Sequence, residues 1–204
     1  MNLLILCAGL KLQGREVIVG YSGHQMLCLA SANTDAIAAG TWLNVRSFSV
    51  DKFNERNPDD ISRRAKWYYC PQALSEYKIP FLDMGFNRGI LPKLAPEKEY
   101  SSNYADILFS GAQPSSTAYS EQQSFRHYLT CLYSQCKAAT HDSFDEAVEH
   151  QRNLLDNAEE IIQTAHSCSV LGQQRDFGDI IDVNRAALES FAHSRSFVLK
   201  RSWK

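Results

Sequence analysis

Five consecutive residues, Gly20-Tyr21-Ser22-Gly23-His24, combine a hydroxyl, an imidazole and two glycines. They follow the apolar residues Val17, Ile18 and Val19. A serine on a glycine-flanked turn after a strand can be presented as a nucleophile, and such a turn can also line up backbone N–H groups for a phosphate. In that reading Ser22 attacks and His24 takes its proton, giving a small hydrolase or nucleotide-binding enzyme. The pattern of a nucleophile elbow is G-x-S-x-G, and His24 stands where its last glycine lets backbone and helix approach. The plainer reading is a tight hairpin turn at Ser22-Gly23.

The same stretch resembles the S-G-G-x-D-S opening of ATP-pyrophosphatase proteins at Ser22 and Gly23 only. His24, Met26 and Leu27 occupy the places of the second glycine, the aspartate and the final serine, so no family follows.

Five of the six histidines lie beyond residue 120. His127 and Cys131 are four apart, a spacing that sets two metal ligands on one side of a helix. They fall away from the apolar stripe of Phe125, Leu129, Leu132 and Cys136, which places them on an exposed polar face. Two ligands make no site without a third from His141 or His166. Glu146 and His150 share the same spacing, and contact would raise the imidazole pKa, useful as a general base only beneath a cleft. No metal and no cofactor is expected. The six cysteines contain no C-x-x-C pair and read as small hydrophobes in a reducing cytoplasm.

Charge offers two further readings. The formal net charge is −2, but residues 1–100 hold 12 Lys/Arg against 10 Asp/Glu, whereas residues 101–204 hold 9 against 13. Asp142, Asp145, Glu146, Glu149, Asp156, Glu159 and Glu160 crowd one helical segment whose only cation is Arg152. Such a ridge suits a basic protein partner, with Asp145, Glu149, Asp156, Glu159 and Glu160 as the docking residues, and it repels DNA. Non-enzymatic binding or regulation of a protein partner is the function expected first. The alternative is nucleic-acid binding, because Arg63, Arg64, Lys66 and Trp67, with Lys200 and Arg201 in the tail, interleave cations with aromatics. Oligomeric state is not legible.

These residues need elements to position them. With 204 residues, 44% hydrophobic and 22% charged, the chain can bury a core without disulfides, and no apolar run reaches the ~18 residues of a membrane span. The expected class is α+β: a small mixed or antiparallel N-terminal sheet (residues 1–115) covered by a three-helix C-terminal layer (residues 116–204), together one compact domain. Residues 3–8, 16–21 and 42–50 read as strands, and residues 24–33 as either strand or helix. Asn57-Pro58-Asp59-Asp60 predicts a helix start, with the helix running to about residue 69. Residues 75–119 are dense in Pro and Gly and read as irregular, with short strands at 79–84 and 107–109. Ser120 with Gln123, and Ser143 with Glu146, are capping boxes. They predict an antiparallel helical hairpin whose second member carries the stripe Phe144, Val148, Leu155, Ala158, Ile162 and Ala165 to about residue 166. A third helix is expected over residues 179–193, followed by an edge strand in which Phe197, Leu199 and Trp203 alternate with Val198, Lys200 and Ser202.

Overall fold

The structure, a computed structural model, describes residues 1–40 and 66–203. The expected strand at residues 42–50, the helix start at Pro58 and the cations Arg63 and Arg64 lie outside the described residues. The class is α+β, but the sheet is not one platform. β1 (Ile18–Val19) pairs in parallel with β2 (Ala36–Ile37), and β3 (Trp67–Cys70) pairs antiparallel with β4 (Ser75–Lys78).

Residues 3–8 are helical, contrary to the strand expectation, within α1 (Asn2–Leu12). An unbroken apolar run carries no period, and its leucines and alanine are good helix formers with only Ile5 β-branched. Leu4, Cys7 and Ala8 supply the buried face. The helix closes into Gly14, at φ +72°, whose N–H bonds the Lys11 carbonyl at 2.8 Å. His24–Ala32 is a 3₁₀ segment, and Asn33 ends it in the left-handed region at φ 57°, a conformation Asn tolerates.

Residues 67–69 also depart from the expected helix. Trp67, Tyr68 and Tyr69 belong to a strand because the hairpin buries aromatics on both of its faces. The Tyr68 hydroxyl donates to the Leu94 carbonyl at 2.6 Å, and the Tyr69 hydroxyl to Gln135 Oε1 at 2.8 Å. Gln135 in turn donates to the Pro71 carbonyl at 2.9 Å, so these buried tyrosine hydroxyls are satisfied. The expected strand at 79–84 is instead the start of α2 (Ile79–Asn87), with Pro80 in its first turn where a missing N–H is harmless. Residues 107–109 form a 3₁₀ turn rather than a strand.

The C-terminal helices begin where their caps predict. Ser120 and Gln123 make both bonds of a capping box at the head of α3 (Glu121–Ala138). Ser143 accepts the Glu146 N–H at the head of α4 (Phe144–Ser167), and all six residues of the expected stripe are buried. α3 packs mainly on β3, however, and α4 on α5, so the hairpin's two helices lean on other elements. α5 (Ile181–Ser202) runs through the segment expected as an edge strand. Leu188, Phe191 and Leu199 are buried at helical spacing, and Lys200 and Arg201 sit in the last turn, where the dipole favours cations. Trp203 then docks: its indole N–H donates to the His141 carbonyl at 3.0 Å and its ring meets the Phe144 edge at 5.8 Å.

A single buried cluster runs from Leu4 to Leu199 and draws on both halves of the chain. Among the described residues no helix is long and apolar enough to cross a membrane.

Candidate functional site

The Ser22 turn does not assemble a nucleophile. Ser22 is 1% exposed, and its hydroxyl is spent on the carbonyls of Val19 at 2.8 Å and Gly20 at 3.2 Å. Its N–H bonds the Ala38 carbonyl, tying the turn to the end of β2. His24 is buried among the rings of Tyr69, Tyr128 and Phe177, with its backbone N–H donating to the Tyr128 hydroxyl at 3.1 Å. The structure therefore does not bring the two residues together.

His127 and Cys131 are fully buried, which corrects their placement on a polar face. α3 is covered on this side by β3 and by the chain around Tyr100, so more than the apolar stripe is buried. The tautomer follows from the partners. Nε2–H donates to the Tyr69 carbonyl at 2.8 Å, Nδ1 accepts from the Ser102 hydroxyl at 2.6 Å, and the Tyr68 ring stacks on the imidazole. Burial drives the His127 pKa down to about 4, partly opposed by the Tyr69 carbonyl. Cys131 donates to the Tyr100 carbonyl at 3.0 Å, and burial pushes its thiol up to about 12. Among the described residues no cluster of three His, Cys, Asp or Glu could hold a metal. His150 is held below its ordinary pKa by burial and by His141, whose ring is 4.8 Å away, instead of being raised by Glu146.

α5 lies along the acidic ridge and answers much of its charge. Lys200 reaches Asp145 at 2.8 Å, while Arg185 reaches Asp156 at 2.9 Å and Glu159 at 2.7 Å. Arg152 takes Glu149 at 3.4 Å and, on α5, Glu189 at 2.6 Å. Glu160 is exposed. Lys200 is thus engaged with Asp145, and Arg201 lies over the Phe197 ring at 4.4 Å.

Lys66 and Trp67 lie at the β3–β4 hairpin. Register sets Lys78 directly opposite Trp67, and its ammonium lies 5.1 Å from the indole centre. The Arg175 guanidinium lies over the same indole at 4.1 Å and is ion-paired with the buried Glu76. Ile79 N–H bonds the Lys66 carbonyl, which brings Lys66 to the same end of the hairpin as Lys78. There the two lysines border a cleft of about 310 Å³ lined by Ile79, Pro80, Pro114 and Tyr119. Lys66 and Lys78 are the charged residues of this lining; nearby Asp83 is turned to the Ser115 N–H at 2.8 Å. The cleft combines two lysines with an apolar lining of which Pro80 is the exposed member, suited to an anionic ligand.

Of the residues singled out from sequence, Lys66 and Trp67 fall here, while Lys78, Pro114 and Arg175 were missed. The 12-residue separation of the lysines about the Pro71 turn was the available signal, and it becomes readable only once 67–78 is taken as a hairpin. Comparison with known proteins adds nothing to this geometry: no protein-family model, no curated protein and no solved structure matches the chain.

Proposed function

We propose that this protein is a non-enzymatic binding protein that takes single-stranded nucleic acid at the β3–β4–α2 face. The observation that carries the reading is the cleft of about 310 Å³ with an apolar lining and two lysines at its rim. A base edge meets the apolar lining at the exposed Pro80, and flanking phosphates meet Lys66 and Lys78. Arg63 and Arg64 precede Lys66 in the sequence and add cations to the same stretch. Pairing of the α4 acids by Arg185, Arg152 and Lys200 weakens the local anionic field of that ridge. The Ser22 hydroxyl, committed to two carbonyls, supports binding over hydrolysis.

Fluorescence anisotropy with a labelled oligothymidylate at low salt tests this. The double variant Lys66→Ala/Lys78→Ala should weaken binding about ten-fold and lower the slope of log affinity against log salt by roughly 1.4, at ~0.7 for each phosphate no longer neutralised. No binding by the unaltered protein, or equal binding by the double variant, rejects the reading.

A second reading is a basic protein partner docked on Asp145, Glu149, Asp156, Glu159 and Glu160. It is favoured by the exposure of Asp145 and Asp156, whose side chains remain 69% exposed beside their α5 partners. Exposed ion pairs contribute little and can be exchanged for a partner's cations. Recovery in a low-salt pull-down that Glu149→Lys/Asp156→Lys/Glu159→Lys leaves unchanged rejects it.

A further inference from the structure

α5 turns Leu188, Phe191 and Leu199 into the core. At about 100° per residue, the side facing away from them is the line of Val183, Ala186, Ser190 and Phe197, and all four are exposed. Val183 is 68% and Phe197 69% exposed, among the most open large apolar side chains of the described residues. One such residue on a surface is ordinary, whereas two on a single line, about four turns apart, can be covered together by one helix laid along them. Ala186 and Ser190 between them are small, so that helix can come close.

Charge decides which helix fits. The exposed acids Asp179 and Asp182 stand at the head of α5, while residues 190–204 hold Arg195, Lys200, Arg201 and Lys204 and no acid. The other charges of the helix are spent inside the fold: Arg185 on Asp156 and Glu159, Glu189 on Arg152, and Lys200 on Asp145. Arg195 is half-buried and lies off the line. Asp179, by contrast, has no ion pair among the described residues, and Asp182 reaches Arg185 only at 3.4 Å with its side chain 92% exposed. Arg201 lies over its own Phe197 ring and meets no carboxylate among the described residues. An acidic head and a basic tail on one apolar line are complementary to the same line running the opposite way.

We infer that this face binds a second copy of the chain, α5 against α5, antiparallel about a twofold axis near Ser190. Val183 and Phe197 each lie seven residues from Ser190, so the axis sets Val183 of one copy against Phe197 of the other, twice. Asp179 and Arg201 each lie eleven residues from Ser190, so head meets tail in the same register. His193 flanks the line and comes opposite Ala187 rather than a charge. A parallel pair would instead bring Arg201 onto Arg201 and Asp179 onto Asp179, and such like-charge contact selects against it. The face shares no residue with the lining of the cleft at Lys66 and Lys78, so the pairing stands or falls without that site.

Sedimentation equilibrium of the full chain at low salt, from about 5 to about 500 μM, tests this. One helix face is small as interfaces go, so a monomer–dimer equilibrium with a dissociation constant of roughly 10–100 μM is expected. Phe197→Asp should leave only monomer across that range, with Val183→Lys as the second apolar variant. Both positions are exposed, so circular dichroism and Tm should stay as in the unaltered protein. Asp179→Lys/Asp182→Lys and Arg201→Glu should each weaken association about five-fold, and the chain carrying all three changes should recover it, as only an antiparallel pair allows. Monomer alone from the unaltered chain at the highest concentration, dimers undiminished in Phe197→Asp, or no recovery in the triple variant overturns the inference.

Discussion

Lowering the pH from 7 to 5 should unload stability through His127 in particular. In the native state this imidazole is neutral and fully buried, with Nε2–H on the Tyr69 carbonyl and Nδ1 receiving the Ser102 proton. Burial brings its pKa from 6.5 to about 4. Between those two values the unfolded chain binds a proton that the folded chain refuses, so stability falls as pH falls. The loss begins near pH 6.5, reaches about 2 kcal/mol by pH 5, and levels at about 3 kcal/mol below pH 4, at ~1.4 kcal/mol per pH unit. Against the ~5–15 kcal/mol that a typical domain possesses, this is a large fraction. Urea unfolding of the unaltered protein and of His127→Gln at pH 7, 6 and 5 measures it. The glutamine variant is less stable at pH 7, because the paired ring is gone, but its stability should decline by about 2 kcal/mol less on reaching pH 5. Stopping at pH 5 avoids Asp35 and Glu189. Their carboxyls are held below the ordinary range by Lys11 and Arg152 respectively, so their contributions are lost only under more acidic conditions. The burial of His150 contributes equally to both proteins and cancels. Parallel pH profiles for the two proteins would refute the assignment.

Gly172→Ala should destabilise the fold by about 1–3 kcal/mol, since an added Cβ would come within 2.8 Å of the Asp176 Cα, a backbone atom that cannot swing aside; the shift in urea midpoint reads it. Ser120→Ala removes the side-chain half of the α3 capping box and should cost about 1 kcal/mol, seen as a lower Tm with unchanged helical circular dichroism at 20 °C. Arg185→Ala, by contrast, cuts pairs to Asp156 and Glu159 at the surface and should change stability by less than about 1 kcal/mol, an effect that disappears in 1 M salt. Cys70 and Cys131 should resist thiol reagents in the native protein at pH 8, because both are buried and burial pushes each thiol up to about 12; rapid labelling of either would contradict their packing.

The starts of α3 and α4 and the buried face of α4 were set by the sequence alone. Ser120 and Gln123, or Ser143 and Glu146, meet across three residues, and the stripe from Phe144 to Ala165 repeats at the helix's own period, so neither depends on distant parts of the chain. The class α+β was legible for the same reason. Tertiary packing decided the rest. The run at residues 3–8 has no period to separate helix from strand, and α1 formed because Leu4, Cys7 and Ala8 are buried where it packs on the 3₁₀ segment and α5. Residues 67–70 became a strand because Tyr68 and Tyr69 find their hydroxyl partners at Leu94 and Gln135, and the tail stayed helical because Leu199 reaches the core. Long-range contacts are the extreme case. Lys66 and Pro114 share one lining, and Trp203 closes on His141, across separations of 48 and 62 residues. Local preference acts over one or two turns of chain, whereas a cavity is what remains after distant segments have each buried their own apolar faces, so its walls are fixed only when the whole core has packed.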